Sequence, residues 1–155
     1  MTTFNDSEVD PARFDDLEWL SERRVHFNGV DIPIEVEPEG DDTKALSPVQ
    51  REAVRLALTL PPGVLEAAAP AVVQNYEVYR DAVGDEELPP LQAPVDVWQR
   101  VEPSYISVPP HGDITTPNFF LLAECDWDPE HGLQVRFRNG HADASNQQGE
   151  LGLED

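Results

Sequence analysis

Residues 119–140 read FFLLAECDWDPEHGLQVRFRNG, and the alternation within them decides the fold. Phe119, Leu121, Ala123, Cys125 and Trp127 recur at the period of two that a pleated strand requires. A five-residue turn over 128–132 follows, carried by Pro129 and Gly132, after which Leu133, Val135 and Phe137 resume the pattern. Pairing Trp127 with Leu133, Cys125 with Val135 and Ala123 with Phe137 puts both apolar sets on one side of a sheet and sets Glu124 against Arg136. Asn139-Gly140 is a second turn signal. It predicts a third strand over 141–145, with Ala142 and Ala144 facing inward.

Working outward toward the N-terminus, residues 104–108 read as a strand and 109–118 as the loop that delivers it. Val95, Trp98 and Val101 suggest a short helix that stops before Pro103, with a strand on the Val95/Val97 alternation as the alternative, and residues 85–94 form an acidic, proline-rich connector. Leu65, Ala69, Val72, Tyr76, Tyr79 and Val83 make an amphipathic helical stripe, interrupted by Pro70 and closed by Gly84 in the left-handed conformation. An earlier helix has Ser47 as cap, Pro48 at its first position and Gln50 completing a capping box. Its stripe is Leu46, Val49, Ala53, Leu56, Ala57 and Leu60. A turn at 40–43 separates it from a first hairpin over 17–36, closed by Asn28-Gly29. There Phe27 faces Val30, Val25 faces Ile32 and Ser21 faces Val36. Pro33 then marks residues 30–36 as an edge strand.

This order predicts an α+β domain: an antiparallel sheet, made of the N-terminal hairpin and the C-terminal meander, with two to three helices on one face. The 155 residues suit one domain, taken as residues 15–149. A flexible acidic arm (1–14) and a flexible acidic tail (150–155) flank it.

The chain carries 31 Asp and Glu against 10 Lys and Arg, a formal net charge of −21. Such a field repels nucleic acid and anionic membranes and favours a basic protein partner. No apolar run approaches the ~20 residues of a membrane span, and no secretory leader is visible, so a cytoplasmic protein is expected. The single cysteine, Cys125, falls on the inward face of a strand and reads as a small buried hydrophobe. Trp19, Trp98 and Trp127 read as core anchors, since no basic groove accompanies them.

The densest polar constellation is Asp126, Trp127, Asp128, Glu130 and His131. Three carboxylates and an imidazole suit a divalent cation or general acid–base work. An EF-hand loop beginning at Asp126 would place glycine sixth and glutamate twelfth, where the chain has His131 and Phe137. His26, His111 and His141 lack zinc-ligand spacing. No phosphate loop, dinucleotide fingerprint, nucleophile elbow, His-Glu-x-x-His or Cys-x-x-Cys pattern is present. The cluster therefore reads first as a structural turn and then as a partner-binding surface. No catalytic, cofactor or metal residue is assigned, and a small metal-dependent enzyme using these residues is the alternative.

WDPEHGL at 127–133, with VRFRNG after it, resembles the bacterial family of domain of unknown function 6985. LSPVQREAVRLAL, QNYEVYRD and VDVWQRVEP are similar to that family's pattern as well. The family has no established activity, so the resemblance transfers no catalytic residue. Small acidic members of such families resemble immunity proteins, which implies a non-catalytic interaction protein that neutralises a basic toxin domain. A housekeeping domain whose acidity serves solubility is a further alternative.

Overall fold

A computed structural model describes residues 2–4, 12–15, 18–21, 24–39 and 46–154, the first three segments as backbone alone. The chain runs through β1 (Thr2–Phe4), β2 (Ala12–Asp15), β3 (Glu18–Ser21), β4 (Val25–Phe27), β5 (Val30–Ile32) and β6 (Ile34–Val36). Helices α1 (Pro48–Leu58) and α2 (Val64–Val83) and a 3-10 segment (Pro94–Arg100) come next. The last strands are β7 (Val101–Val108), β8 (Asn118–Cys125), β9 (Leu133–Arg138) and β10 (His141–Asn146). One sheet has the order β1-β2-β3-β6-β7-β8-β9-β10, and β4 with β5 forms a separate hairpin. The fold is α+β as expected, but β6 lies parallel to β7. The helices form the crossover that a parallel pair requires, so the sheet is mixed.

Both Asn-Gly dipeptides behave as their chemistry dictates. Asn28 and Gly29 have φ of 51° and 81°, Asn139 and Gly140 of 52° and 85°, the positive pair that a tight hairpin needs. Phe27 pairs with Val30 and Val25 with Ile32. Beyond Pro33 the expected edge strand is corrected. The proline divides it into β5 and β6, and β6 lies inside the sheet between β3 and β7. Pro33 accepts the Ile106 amide through its carbonyl at 2.9 Å, so its missing N–H is no obstacle there. Val36 pairs with Trp19 rather than Ser21. The turn expected at 40–43 and the side chain of Trp19 lie outside the described residues.

The β8–β9 hairpin keeps its inward set but slips by four residues from the expected register. Ala123 pairs with Leu133, Leu121 with Val135 and Phe119 with Phe137, while Phe120, not Glu124, faces Arg136. A shift by an even number preserves the faces. All six of the inward residues are fully buried, and the Phe119 and Phe137 rings stack with centroids 4.8 Å apart. In β10 a bulge between Ala142 and Ala144 places Ala142 against Phe137, Ala144 against Arg136 and Ser145 against Val135. Ala142 thus faces inward as expected and Ala144 does not. Ser145 takes the inner position and donates to the Ala71 carbonyl of α2.

α1 begins with the anticipated box: the Gln50 amide donates to Ser47 Oγ at 3.3 Å, and Ser47 N donates to Gln50 Oε1 at 3.2 Å. α2 buries Ala68, Ala69, Val72 and Tyr76 but leaves Val83 48% exposed, so the last stripe position lies outside the core. Gly84 closes the helix with φ +88° and ψ 167°, positive φ without the left-handed ψ. Trp98 buries against Phe27 edge-on at 5.2 Å and donates to the Leu65 carbonyl at 2.8 Å.

β1 and all of β2 but Asp15 lie in the first 14 residues. At the other end, Gln148, Gly149, Leu151, Gly152 and Leu153 make hydrogen bonds to the sheet. Gln134 Oε1 accepts the amides of Gly149 and Leu151, each at 3.1 Å, and its Nε2 donates to the Leu151 carbonyl at 3.1 Å. Arg136 donates to the Gly152 carbonyl at 3.0 Å, and Gln148 to that of Ala123 at 2.9 Å. Phe120, Leu122, Gln134 and Arg136 are buried on that same outer side of β8 and β9.

Candidate functional site

The connection from β8 to β9 spans residues 126–132 and carries every residue of the polar constellation. Trp127 and Asp128 are 7% and 6% exposed, whereas Asp126, Glu130 and His131 are exposed. The indole of Trp127 donates to Asn75 Oδ1 at 2.8 Å and meets the Tyr76 ring edge-on at 5.2 Å, which ties the connection to α2. Asp126 turns outward and pairs with Arg100 at 3.3 Å. Arg100 also lies 5.4 Å from the Tyr76 ring centroid.

Asp128 organises the turn. Its Oδ2 accepts the Tyr79 hydroxyl, its Oδ1 accepts the His131 amide at 3.2 Å and contacts the His131 Nδ1 at 3.0 Å, and its carbonyl accepts the Gly132 amide at 2.9 Å. Gly132 has φ +71°, and a Cβ there would lie 2.6 Å from Gln148 and 2.9 Å from the Ala123 carbonyl. Only glycine fits. Burial works against ionisation of Asp128, but the Tyr79 hydroxyl and then the His131 amide and ring outweigh it, and the carboxyl is held below its ordinary range. The same bond, with burial, pushes the Tyr79 phenol up to about 12. Burial, reinforced by the charges of Asp128 and Asp126, pushes the Cys125 thiol up to about 12, which leaves it an inert core residue.

These directions give a pH dependence. Because the folded Asp128 binds its proton less readily than the unfolded one, its contribution is complete above the unfolded carboxyl value of about 4 and is lost as pH falls through the folded value. For Tyr79 the sign reverses: the contribution is complete below about 10 and disappears as pH rises toward the folded value of about 12. Urea unfolding as a function of pH will show both limbs, and Asp128→Asn will flatten each. Limbs unchanged in that variant would exclude Asp128 as their source.

Position within the cluster also predicts unequal effects of substitution. His131→Ala removes the ring contact to a buried carboxylate and costs about 1 kcal/mol. Glu130→Ala, at an exposed site, changes stability by less than about 0.5 kcal/mol. Chemical denaturation of the two variants side by side checks this.

Among the described residues no group of three His, Cys, Asp or Glu side chains is placed to hold a metal ion. The oxygens of Asp128 accept from Tyr79 of α2 and from His131 in the turn, and Asp126 faces Arg100. The five residues therefore do not converge. They divide into an internal brace (Trp127, Asp128, with the His131 ring) and outward acids (Asp126, Glu130).

A second surface was not legible in the stripe of α2. Val78 and Val83 are 65% and 48% exposed, the large hydrophobics most open to solvent among the described residues. Beside them Asp81, Asp85, Glu86 and Glu87 are exposed. Arg80 is the cation in this stretch, and it is bound to Glu77 at 2.6 Å, to Asp85 at 2.5 Å and to the Leu88 carbonyl at 2.9 Å. The available signal was Val78 itself, an apolar residue off the stripe defined by Tyr76 and Tyr79.

No helix among the described residues is long and apolar enough to cross a membrane. No curated protein and no solved structure matches the chain. The pattern of the family described as domain of unknown function DUF6985 matches residues 6–151, a span that contains the capping box, α2 and WDPEHGL, and the chain belongs to that family.

Proposed function

We propose that this chain is a non-catalytic cytoplasmic protein of a bacterium that binds a basic protein partner, of the kind an immunity protein neutralises in a toxin domain. The observation that carries the reading is the C-terminal end of α2, where exposed Val78 and Val83 lie among Asp81, Asp85, Glu86 and Glu87. Carboxylates steer a cationic surface into contact, and apolar area excluded from water slows its departure. The net charge of −21 extends that steering over the whole molecule. The brace around Asp128 supports a binding role over a metal-dependent enzyme, because its carboxylate oxygens already accept from Tyr79 of α2 and from the turn at His131.

Affinity capture from the native host at low salt, followed by mass spectrometry, tests the reading. The expected partner is a basic protein whose capture falls steeply as salt is raised. The triple variant Asp81→Lys, Glu86→Lys, Glu87→Lys loses it, while an equal reversal at Glu37, Asp113 and Glu150 keeps it. Equal behaviour of the two variants would overturn the assignment to α2, and capture indifferent to salt would overturn the electrostatic reading itself.

A further inference from the structure

A cavity of about 290 Å³ opens where the end of α1 and the start of α2 meet the β9–β10 turn. Its floor is built from the core, with Phe137 and Ala68 at 0% and 1% exposure. Leu56, Leu60 and Val64 form the walls and are only partly buried, which leaves apolar surface facing the opening. Gly140 brings the hairpin tip close: a Cβ there would sit 3.6 Å from Leu56 Cδ2.

Three properties restrict what fills this space. A quarter of the chain's residues are charged (26%), yet no Asp, Glu, Lys or Arg lines the cavity. A charged group inside would find no counter-ion, so the occupant is neutral. The volume is roughly twice that of an apolar cavity of ~150 Å³ that accepts benzene, which suits a body of two fused rings. The polar side chains are Thr59, Asn139 and His141; Thr59 already donates its hydroxyl to the Arg55 carbonyl at 2.7 Å. Asn139 and His141 are exposed on the hairpin, so the free side-chain N–H donors lie on that side.

We infer that this cavity is a binding site for a small, neutral, bicyclic aromatic compound carrying one hydrogen-bonding group, with the rings against Phe137 and Leu56 and the polar group toward Asn139 and His141. The site is independent of the acidic end of α2, and either assignment survives failure of the other.

Indole is the probe, added to the full-length protein with methyl resonances observed by NMR. Saturable shifts are expected at Leu56, Leu60 and Val64 with one common dissociation constant of about 0.1–1 mM, the range that ligand efficiencies allow for so small a compound. Naphthalene sulfonate, of similar shape but anionic, binds about tenfold more weakly or worse. Ala67→Trp, which introduces an indole at the mouth from an exposed helical position, abolishes the shifts. Absence of saturable shifts in the unmodified protein overturns the site, as does equal binding of the anionic analogue. Should Ala67→Trp fold poorly, the wild-type methyl data decide the matter, because shifts clustered elsewhere exclude this cavity.

Discussion

Trp127→Ala lowers the unfolding free energy by about 3–5 kcal/mol, a large share of the ~5–15 kcal/mol that holds a typical domain together. Three losses combine. The indole is 7% exposed, so truncation opens a void that the rigid β8 end and α2 cannot close. Its edge-on contact with Tyr76 at 5.2 Å disappears. Asn75, itself 8% exposed, then keeps an acceptor with no donor. Trp127→Phe restores most of the volume and leaves the Asn75 acceptor empty, so it recovers part of the loss. Pairing Trp127→Phe with Asn75→Leu, which removes the orphaned acceptor, recovers more. Urea denaturation followed by circular dichroism gives the values, and an effect of Trp127→Ala below about 1 kcal/mol would place the indole outside the core.

Gln50→Ala costs about 3 kcal/mol, although the residue is polar and stands in the first turn of a helix. Its side chain is fully buried and joins three segments. Nε2 donates to the Glu37 carbonyl at 2.7 Å and to the Pro109 carbonyl at 3.2 Å, while Oε1 accepts the Ser47 amide. The end of β6, the start of α1 and the loop after β7 are thus fixed to one amide. Glu39 completes the junction by accepting the amides of His111 and Gly112 and the Ser47 hydroxyl, and these bonds outweigh burial to hold its carboxyl below the usual range. Ser47→Ala removes the cap and the hydroxyl's bond to Glu39 and costs about 1–2 kcal/mol. The ratio of the two effects is diagnostic. Were Gln50→Ala no worse than Ser47→Ala, the bonds to Glu37 and Pro109 would contribute nothing.

Features encoded by neighbouring residues were legible in the sequence. The two Asn-Gly turns and the Ser47–Gln50 box are set by local sterics and hydrogen bonding, and each occurs where its residues specify. Register was not local. Alternation repeats every two residues, so the pairing of Trp127 with Leu133 and that of Ala123 with Leu133 satisfy the same pattern. What separates them is that Trp127 leaves the sheet for Asn75 and Tyr76 on α2, a contact far away in the chain. The bulge in β10 was equally silent: its extra residue, Asp143, pairs with Arg136 and Arg138 of β9, partners that alternation does not mark. Within the candidate site, the sequence places Asp126, Trp127, Asp128, Glu130 and His131 in one connection between strands. It could not say that Asp128 turns inward to Tyr79 while Asp126 turns outward to Arg100, since adjacent positions on a turn take their partners from different elements.

The attachment of residues 147–154 to Gln134 and Arg136 bears on how the domain is made during synthesis. Both side chains are incorporated early in β9, yet the carbonyls and amides that satisfy them arrive more than ten positions afterwards. While the nascent chain still holds those positions inside the ribosomal tunnel, the outer face of β8 and β9 remains wet and apolar at Phe120 and Leu122. The outer face is therefore completed only after Gly152 has been added, and a chain that stops before Gly149 leaves the Gln134 amide without the partners it has in the finished fold.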